Sequence, residues 1–358
     1  MPDANPEPTR RTGEPGPDEL GPGELRAGES GPGELRRAVR EQAGLDVVSL
    51  VPAGGASGAA FWLRERDGTG WLLKVSPAPL SSLQALDAMT ARLRARGYPA
   101  PRVRATGQLG GPVPDSPVPD RPVPDSPESG SPTATSPGSR SRTFWIQERL
   151  PGRDLSLAGG DPDCGTLSRL LPGLFRLNDA QAGLGDGGTD WRQLITTTLL
   201  EGGDGYCLHS TLAARADTRE LQATVRRIGA SCGAAIPPGA DFTHFDFHFL
   251  NLLSDGAAIT GVVDINPPPL AGDRAFDLAT LVFYVYDHDD LRRRILDRLF
   301  GLAGREAARA YLAHMVLRQV EWSVRHYPSA PATQRHLRLA RLILGDIGEP
   351  GPGRYVLR

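Results

Sequence analysis

The chain has 358 residues, which is long enough for two lobes with separate hydrophobic cores. A formal net charge of only -2 gives no electrostatic case for a nucleic acid or an anionic membrane as partner, and no apolar run reaches the ~18 residues of a spanning helix. Residues 1–14 lack the apolar core of a signal peptide, and the three widely spaced cysteines match no zinc or disulfide pattern, so we expect a reducing cytoplasm.

The first 33 residues repeat Gly, Pro and Glu in units such as Gly16–Leu20 and Gly21–Leu25. Such a composition buries too little apolar surface to offset the entropy lost on ordering, so we predict a disordered tail at 1–33. A short helix is then predicted over Glu34–Ala43, ended by Gly44.

Three predicted strands and a Gly-rich turn come next: Val47–Val51 and Phe61–Glu65 flank the turn, and Trp71–Val75 carries Lys74. Glycines let backbone amides approach phosphate without interference from side chains, and this order of elements is typical of the hairpin with which kinases grip a nucleotide. We predict that four residues of the turn cover the phosphates: Gly54, Gly55, Ser57 and Gly58.

Lys74 stands out by composition, because 39 of the 40 Lys plus Arg residues are Arg. A position that keeps Lys in such a chain indicates a need for a compact ammonium group rather than a planar guanidinium. We predict that Lys74 holds the inner phosphates of a nucleotide. Survival of one lysine by chance is the alternative.

A helix predicted over Ser81–Arg96 should bring an acid to Lys74, as the helical Glu of kinases does. The helix contains no Glu, and Asp87 is its only carboxylate. We predict that Asp87 takes this place in the nucleotide site. The alternative is a solvated Asp on the helix face.

Residues 107–142 repeat Pro-Val-Pro-Asp, and we predict a disordered linker inserted at the surface. The apolar strand Thr143–Gln147 then leads into a short polar segment. In a two-lobed kinase this junction is the hinge whose backbone binds the adenine edge. We therefore place the adenine contacts at Gln147, Glu148, Arg149 and Leu150.

Three helices that should wall the acceptor site are predicted next, at Thr166–Ala180, Asp190–Glu201 and Thr218–Ala235. Beyond them, Asp246 stands among aromatic residues, Asn251 lies five positions later, and Asp264 lies beyond a short hairpin. Phosphoryl transfer uses this set, because one Asp accepts the proton of the attacking hydroxyl while an Asn and a second Asp hold magnesium. We predict Asp246 as the catalytic base and Asn251 and Asp264 as magnesium ligands.

Two other interpretations of this stretch are open. His244, Asp246 and His248 alternate along the chain and would share one face of a strand, where they could bind zinc. Alternatively, the alternating aromatic residues pack a purely structural strand.

The chain beyond Asp264 is predicted to be mainly helical, at Leu291–Leu302, Arg305–Tyr327 and Ala332–Leu344, with a tail at 346–358. Asp277 opens an apolar helix and is predicted to brace the catalytic loop. We predict that an acidic cluster and His248 contact a cationic acceptor, with a solvated helix start as the alternative for the cluster: Asp287, Asp289 and Asp290.

Three motifs resemble those of the aminoglycoside phosphotransferase family, which includes choline, homoserine and fructosamine kinases: His244-x-Asp246-x-His248-x-x-Asn251, Val263-Asp264 and Gly272-Asp273-Arg274-Ala275-Phe276-Asp277-Leu278-Ala279. The resemblance covers residues 35–345 apart from the insertion. It implies an α+β, protein-kinase-like fold of two lobes, with a small antiparallel β-sheet N-lobe at 34–147 and a larger, mainly helical C-lobe at 148–345. It also implies ATP or GTP with Mg²⁺ as the donor system. The sequence departs from the family at Phe245, where Gly is usual, and at Asp87, where the helical acid is usually Glu.

Together these features predict a kinase that transfers the terminal phosphoryl group of ATP (or GTP) to a hydroxyl of an aminoglycoside-like or other natural-product acceptor, with a role in antibiotic resistance. The alternatives are a metabolic kinase of the choline, homoserine or fructosamine type and a nucleotide-binding scaffold without turnover. A protein substrate is disfavoured, because no activation segment fits between Asp264 and Asp277. We expect a monomer or weak dimer without nucleic acid or membrane partners.

Overall fold

The structure, a computed structural model, describes residues 32–53, 60–109, 142–157, 161–185 and 188–348. Five strands and two helices precede the predicted hinge, and the chain beyond the hinge is mainly helical. The elements in chain order are α1 (Pro32–Ala43), β1 (Val47–Pro52), β2 (Ala60–Glu65), β3 (Gly70–Ser76), α2 (Leu80–Ala95), β4 (Val103–Leu109), β5 (Arg142–Glu148), β6 (Arg153–Asp154), α3 (Cys164–Ala180), α4 (Trp191–Leu200), α5 (His209–Ala213), α6 (Arg219–Cys232), β7 (Asp241–Thr243), β8 (Leu252–Ser254), β9 (Ile259–Val262), β10 (Leu270–Gly272), α7 (Ala275–Tyr284), α8 (Asp289–His326) and α9 (Pro331–Ile347).

The N-terminal sheet is antiparallel and has the order β1-β2-β3-β5-β4. β5, which lies between β3 and β4, has five consecutive buried residues, and since successive side chains of a strand point to opposite sides, both of its faces are covered. Phe144 and Ile146 pack on one side with Leu35 and Val39 of α1. Trp145, on the other side, belongs to the core that includes α2 and the helical lobe. The sheet therefore links two hydrophobic cores and fixes the strand that carries Lys74.

The helical lobe is built around α7 and α8, which pack against each other. Every residue of α7 from Ala275 to Phe283 is buried, as expected for a segment that is apolar all round. α8 contacts α4, α5, α6 and α9 as well, so it is the central support of the lobe. It bends at Gly304, whose φ of 75° is left-handed, and this residue separates the two helices predicted from the sequence.

The fold class predicted from the sequence is confirmed, whereas several boundaries differ. Gly107–Leu109 completes β4 and Arg142 opens β5, so only 110–141 of the predicted insertion lies outside the described residues. The predicted tails lie outside them only at 1–31 and 349–358, because α1 begins at Pro32 and α9 continues to Ile347. Within the described ranges, no helix is both long and apolar enough to cross a membrane.

Candidate active site

Lys74 and Asp264 meet where the sheet faces the helical lobe. Lys74 pairs with Ala60 of β2 and Trp145 of β5, so neighbouring strands hold its backbone on both sides. Its Nζ lies 2.5 Å from Oδ1 of Asp264, which is 190 residues further along the chain. The Lys74 side chain is 13% exposed and that of Asp264 is 42% exposed, so water screens the ion pair in part. The fold thus joins an ammonium from the sheet to a carboxylate from the helical lobe.

Asp264 lies two residues after the end of β9, and the chain turns there. Its φ of +64° is a left-handed conformation, which costs energy for a residue other than Gly. Hydrogen bonds hold this turn. The Val263 N–H donates to the Asn251 carbonyl at 2.9 Å, and the Asn266 amide donates to the Asp264 carbonyl at 3.2 Å. The strained turn therefore presents the Asp264 carboxylate beside the strand end that carries Asn251.

Asp246 lies in a loop that Asn251 closes. The Asn251 side-chain amide donates to the Asp246 carbonyl at 2.9 Å and lies 3.3 Å from Oδ2 of its carboxylate. Arg318 of α8 places its Nη2 3.1 Å from Oδ1 of the same carboxylate. The five-residue interval seen in the sequence is thus a hydrogen-bonded unit that orients Asp246.

The two histidines of this loop are oriented by hydrogen bonds to their neighbours. His248 Nδ1 accepts from the Leu250 N–H at 3.2 Å, so Nε2 carries the proton and faces Asp246 Oδ2 at 3.3 Å. His244 Nδ1 accepts from the Asp246 N–H at 3.3 Å, which leaves Nε2 to donate to the Val263 carbonyl at 2.9 Å. No group of three or more His, Cys, Asp or Glu side chains in the described part of the chain could hold a metal ion. The zinc interpretation therefore has no geometric support.

The electrostatic surroundings keep Asp246 ionised. Burial alone would raise the pKa of its carboxyl, but the hydrogen bond from His248 and the charge of Arg318 outweigh that effect and lower the pKa below its ordinary value. The Asp246 carboxylate is therefore unprotonated at neutral pH and can accept a proton.

Phe245, where the related family usually has Gly, has a φ of +70°. A Phe in this left-handed conformation is strained, and the surrounding contacts hold it in place. Its ring stacks on Phe276 at a centroid distance of 5.0 Å, and the Arg318 guanidinium lies 4.7 Å from the ring centroid. Arg318 also donates to the Phe245 carbonyl. One arginine thus supports both the strained Phe245 and the Asp246 carboxylate beside it.

Asp277 braces the catalytic loop, as the sequence predicts. It is fully buried, and its carboxylate accepts the N–H groups of His244 and Phe245 at 2.9 Å each. The Gln181 amide donates to it at 2.6 Å. Burial raises the pKa of Asp277 to about 7, although these three donors act in the opposite direction. The start of α7 is thus tied to the residues immediately before Asp246.

Replacing Asp277 with Asn should lower the free energy of unfolding by about 1–3 kcal/mol, because the new amide group faces N–H donors and leaves one of them buried without an acceptor. Urea denaturation measures this change. Asp255→Asn is the matched control, because Asp255 also accepts backbone N–H groups but lies in an exposed turn. Equal effects of the two substitutions would contradict the role given to Asp277.

The remaining nucleotide-site predictions differ in outcome. Gly54, Gly55, Ser57 and Gly58 lie outside the described residues. The predicted pairing of Asp87 with Lys74 is absent among the residues that the structure describes, since Lys74 pairs with Asp264 and the Asp87 carboxylate has no ion pair there.

The predicted hinge residues lie where β5 leaves the sheet. Gln147 accepts a hydrogen bond from the Trp145 indole at 3.0 Å, and Glu148 accepts from the Arg102 N–H at 2.9 Å. Arg149 lies over the Trp62 ring at 5.0 Å, and Leu150 packs beside Gly261 of β9. All four side chains thus contact other parts of the protein, and the Glu148 N–H donates to the Arg102 carbonyl at 3.0 Å, so adenine binding at this segment stays a prediction.

A cavity of about 840 Å³ opens beside Asp246 and His248, a size suited to a small-molecule ligand. The acidic cluster predicted to bind a cationic acceptor does not line it. Instead, Asp287 pairs with Arg335 at 3.1 Å, Asp289 with Arg292 at 2.8 Å and Asp290 with Arg293 at 3.0 Å. The predicted subsite for a cationic acceptor at this cluster therefore has no support from these contacts, since each of its carboxylates pairs with an arginine of α8 or α9.

The donor set at Asn251 and Asp264 fits a magnesium ion shared with phosphates. Among the described groups, no donor reaches the Asn251 side-chain oxygen, and Asp264 Oδ2 also has no hydrogen-bond partner. Magnesium commonly takes one or two protein oxygens and completes its shell with phosphate and water. Two available oxygens on neighbouring chain segments meet that requirement.

Comparisons with known proteins agree with this geometry. A family profile described as "Phosphotransferase enzyme family" matches residues 50–311. No curated protein sequence matches the chain as a relative. Among solved structures, the fold is similar to that of the aminoglycoside phosphotransferase APH(4)-Ia, with a TM-score of 0.60 at 19% identity over 89% of this chain and 99% of that one.

Two further solved structures show the same fold. A thermostable mutant of APH(4)-Ia in a ternary complex with ADP and hygromycin B gives a TM-score of 0.56 at 18% identity, over 85% of this chain and 96% of that one. Choline kinase LicA from Streptococcus pneumoniae gives 0.52 at 10% identity, over 87% and 97% of the two chains. At these identities the similarity is one of fold, and the site residues must be argued from their own geometry.

Proposed function

The chain belongs to the phosphotransferase enzyme family, and from this we propose that it transfers the terminal phosphoryl group of ATP (or GTP) to a hydroxyl group of a small natural-product acceptor. The observation that carries the proposal is the meeting of Lys74 with Asp264 across 190 residues, next to the loop that holds Asp246 and Asn251. An ammonium, two carboxylates and a carboxamide in one cleft are the groups that phosphoryl transfer uses.

In the proposed reaction, the acceptor oxygen attacks the terminal phosphorus while the bond from that phosphorus to the bridging oxygen breaks, and the nucleoside diphosphate leaves. Asp246 orients the acceptor hydroxyl and takes its proton. Lys74 exchanges its contact with Asp264 for the inner phosphates and stabilises charge on the leaving group. When bound, magnesium would neutralise the phosphate oxygens, and Asn251 and Asp264 would hold it. Positioning and charge stabilisation thus account for the catalysis.

The short segment between Asp264 and Asp277 supports a small acceptor rather than a protein substrate. Only a short segment that includes β10 separates Asp264 from Asp277, so it leaves no room for a loop that would bind a protein substrate. APH(4)-Ia, which has a similar fold, forms a ternary complex with ADP and hygromycin B. We include a role of this chain in antibiotic resistance in the proposal. We further propose a nucleotide lobe at 34–147, a catalytic lobe at 148–345, and a monomeric or weakly dimeric state in the cytoplasm.

A transfer assay tests the proposal directly. The purified chain is incubated with Mg²⁺ and γ-labelled ATP or GTP, together with panels of antibiotics, amino alcohols, hydroxy amino acids and ketosamines. We expect label to appear in one acceptor class in proportion to the nucleoside diphosphate formed. Tight nucleotide binding without labelled product from any panel would favour the alternative of a scaffold without turnover.

Replacing Arg318 with Met should shift the acid limb of the kcat pH profile to higher pH. Arg318 lowers the pKa of Asp246, so its loss raises that pKa and reduces the ionised fraction of the base as the pH falls. At neutral pH Asp246 stays ionised in the variant, and we expect about a tenfold loss of kcat there from the lost orientation of the carboxylate, with partial recovery in Arg318→Lys. Arg305→Met, an exposed position on the same helix, is the control. An unchanged acid limb in Arg318→Met would contradict this role.

A further inference from the structure

Every carboxylate that lines the cavity beside Asp246 already has an arginine partner. Asp246 pairs with Arg318 at 3.1 Å, and Asp161 lies 3.7 Å from Arg335. Glu321, whose side chain is buried, pairs with Arg325 at 2.9 Å through Oε1, while its Oε2 is buried without a hydrogen-bond partner among the described residues. A ligand that carries several ammonium groups would therefore have to compete with built-in cations for each acidic partner. The cavity is poorly suited to a polycation.

The cavity lining holds equal numbers of carboxylates and arginines, and one of these arginines is left without an acidic partner in the described part of the chain. Arg338 of α9 lines it and is exposed, and no hydrogen bond or ion pair holds its guanidinium among the residues that the structure describes. His336, two residues earlier on the same helix, also lines the cavity, but burial lowers its pKa to about 4, so it is neutral at pH 7. Arg338 is thus the group available to an anionic substituent.

The rest of the lining is largely aromatic and apolar. Leu250 and Trp322 line the cavity and remain 46% and 40% exposed, which is unusual for side chains of this size. Phe249 and Tyr284 pack edge to face and line it next to His248. Apolar surface of this kind gains free energy by covering an apolar body.

We propose that the acceptor is a hydroxylated compound with an aromatic or otherwise apolar body and an anionic group that pairs with Arg338, rather than a polyamine. This proposal rests on the phosphoryl transfer at Asp246 proposed above. It assigns the orientation of the acceptor: the hydroxyl at Asp246, the apolar body against Trp322 and Leu250, and the acidic end toward α9.

Three probes that share one scaffold test the proposal: 4-nitrophenyl β-D-glucuronide, the corresponding glucoside, and the 2-amino-2-deoxy-glucoside assayed below the pKa of its amino group. They are an anionic, a neutral and a cationic aromatic polyol. Binding of each probe to the full chain is measured by calorimetry in the presence of Mg²⁺ and AMP-PNP, so that no turnover is needed. We expect the glucuronide to bind about tenfold more tightly than the amino sugar, with the glucoside between them.

A variant pair locates the effect. Arg338→Gln should remove the preference for the glucuronide, whereas Arg341→Gln, also exposed on α9 but outside the cavity lining, should keep it. Thermal unfolding checks that both variants fold. Three outcomes would each overturn the proposal. The amino sugar binds most tightly, all three probes bind equally or not at all, or Arg338→Gln keeps the preference for the glucuronide.

Phosphoryl transfer is measured separately on the same probes and on kanamycin. Efficient phosphorylation of kanamycin with poor use of the glucuronide would overturn the acceptor class and leave the proposed kinase activity standing. The expected binding order without labelled product from any hydroxyl compound would instead count against the kinase activity.

Discussion

Replacing Asp246 with Asn is expected to lower kcat by about a thousandfold, because an amide has no basic site to take the acceptor proton. The affinity for Mg²⁺-nucleotide should change little. Lys74 and Asp264 pair with each other and not with Asp246, and Asn251 keeps the Asp246 backbone carbonyl as its acceptor. Steady-state transfer rates and a nucleotide titration measure the two quantities.

The control for Asp246→Asn measures whether the loop from Asp246 to Asn251 is still folded. Asn at 246 keeps the backbone carbonyl that accepts from Asn251, and its side-chain oxygen can still face Arg318. The new amide N–H₂ group then faces the His248 and Asn251 donors, so the free energy of unfolding should fall by about 1–3 kcal/mol, and urea denaturation checks that the variant is still folded in the assay. Turnover that persists at the wild-type level in a folded Asp246→Asn variant would exclude Asp246 as the base.

The second large effect is expected at Lys74. Lys74→Met should lower kcat/KM for the nucleotide by about a hundredfold, because it removes the preorganised charge that faces the leaving phosphates. The loss should appear for ATP and GTP alike, since in the proposed complex the ammonium contacts phosphate and not the base. Initial rates over a range of nucleotide concentrations at saturating Mg²⁺ measure the effect.

Lys74→Arg is the matched variant for this position. It keeps the positive charge, but its planar guanidinium on β3 cannot place a compact charge where Nζ lies, between Asp264 and the Trp145 ring. We expect a loss close to that of Lys74→Met. Full activity of Lys74→Arg would show that only the charge matters there, and would remove the reason given for the single lysine.

Part of this site is predictable from the sequence because its signals are local or compositional. The five-residue interval from Asp246 to Asn251 reflects one hydrogen-bonded loop, and a pattern can identify it. Lys74 is identifiable because it is the exception in an arginine-rich chain. Asp277 is identifiable as a brace because it opens an apolar helix beside the motif.

The features that the sequence could not predict depend on contacts between distant segments. Arg318 is one of 39 arginines, and only the packing of α8 on α7 brings it to Asp246. The same holds for the acidic cluster, whose partner Arg335 comes from α9. The missing contact of Asp87 with Lys74 likewise depends on how α2 lies against the sheet, which no spacing rule encodes.

The ion pair of Lys74 with Asp264 also makes the nucleotide site observable by itself. As the chain contains no other lysine, isotopic labelling of lysine places one ε-nitrogen signal in the whole protein, and it sits 2.5 Å from the carboxylate that triphosphate would displace. An amine-directed reagent has the same selectivity, apart from the N-terminal amine. Occupancy of the cleft, and any opening of the sheet relative to the helices, can therefore be followed at one atom without introducing a probe.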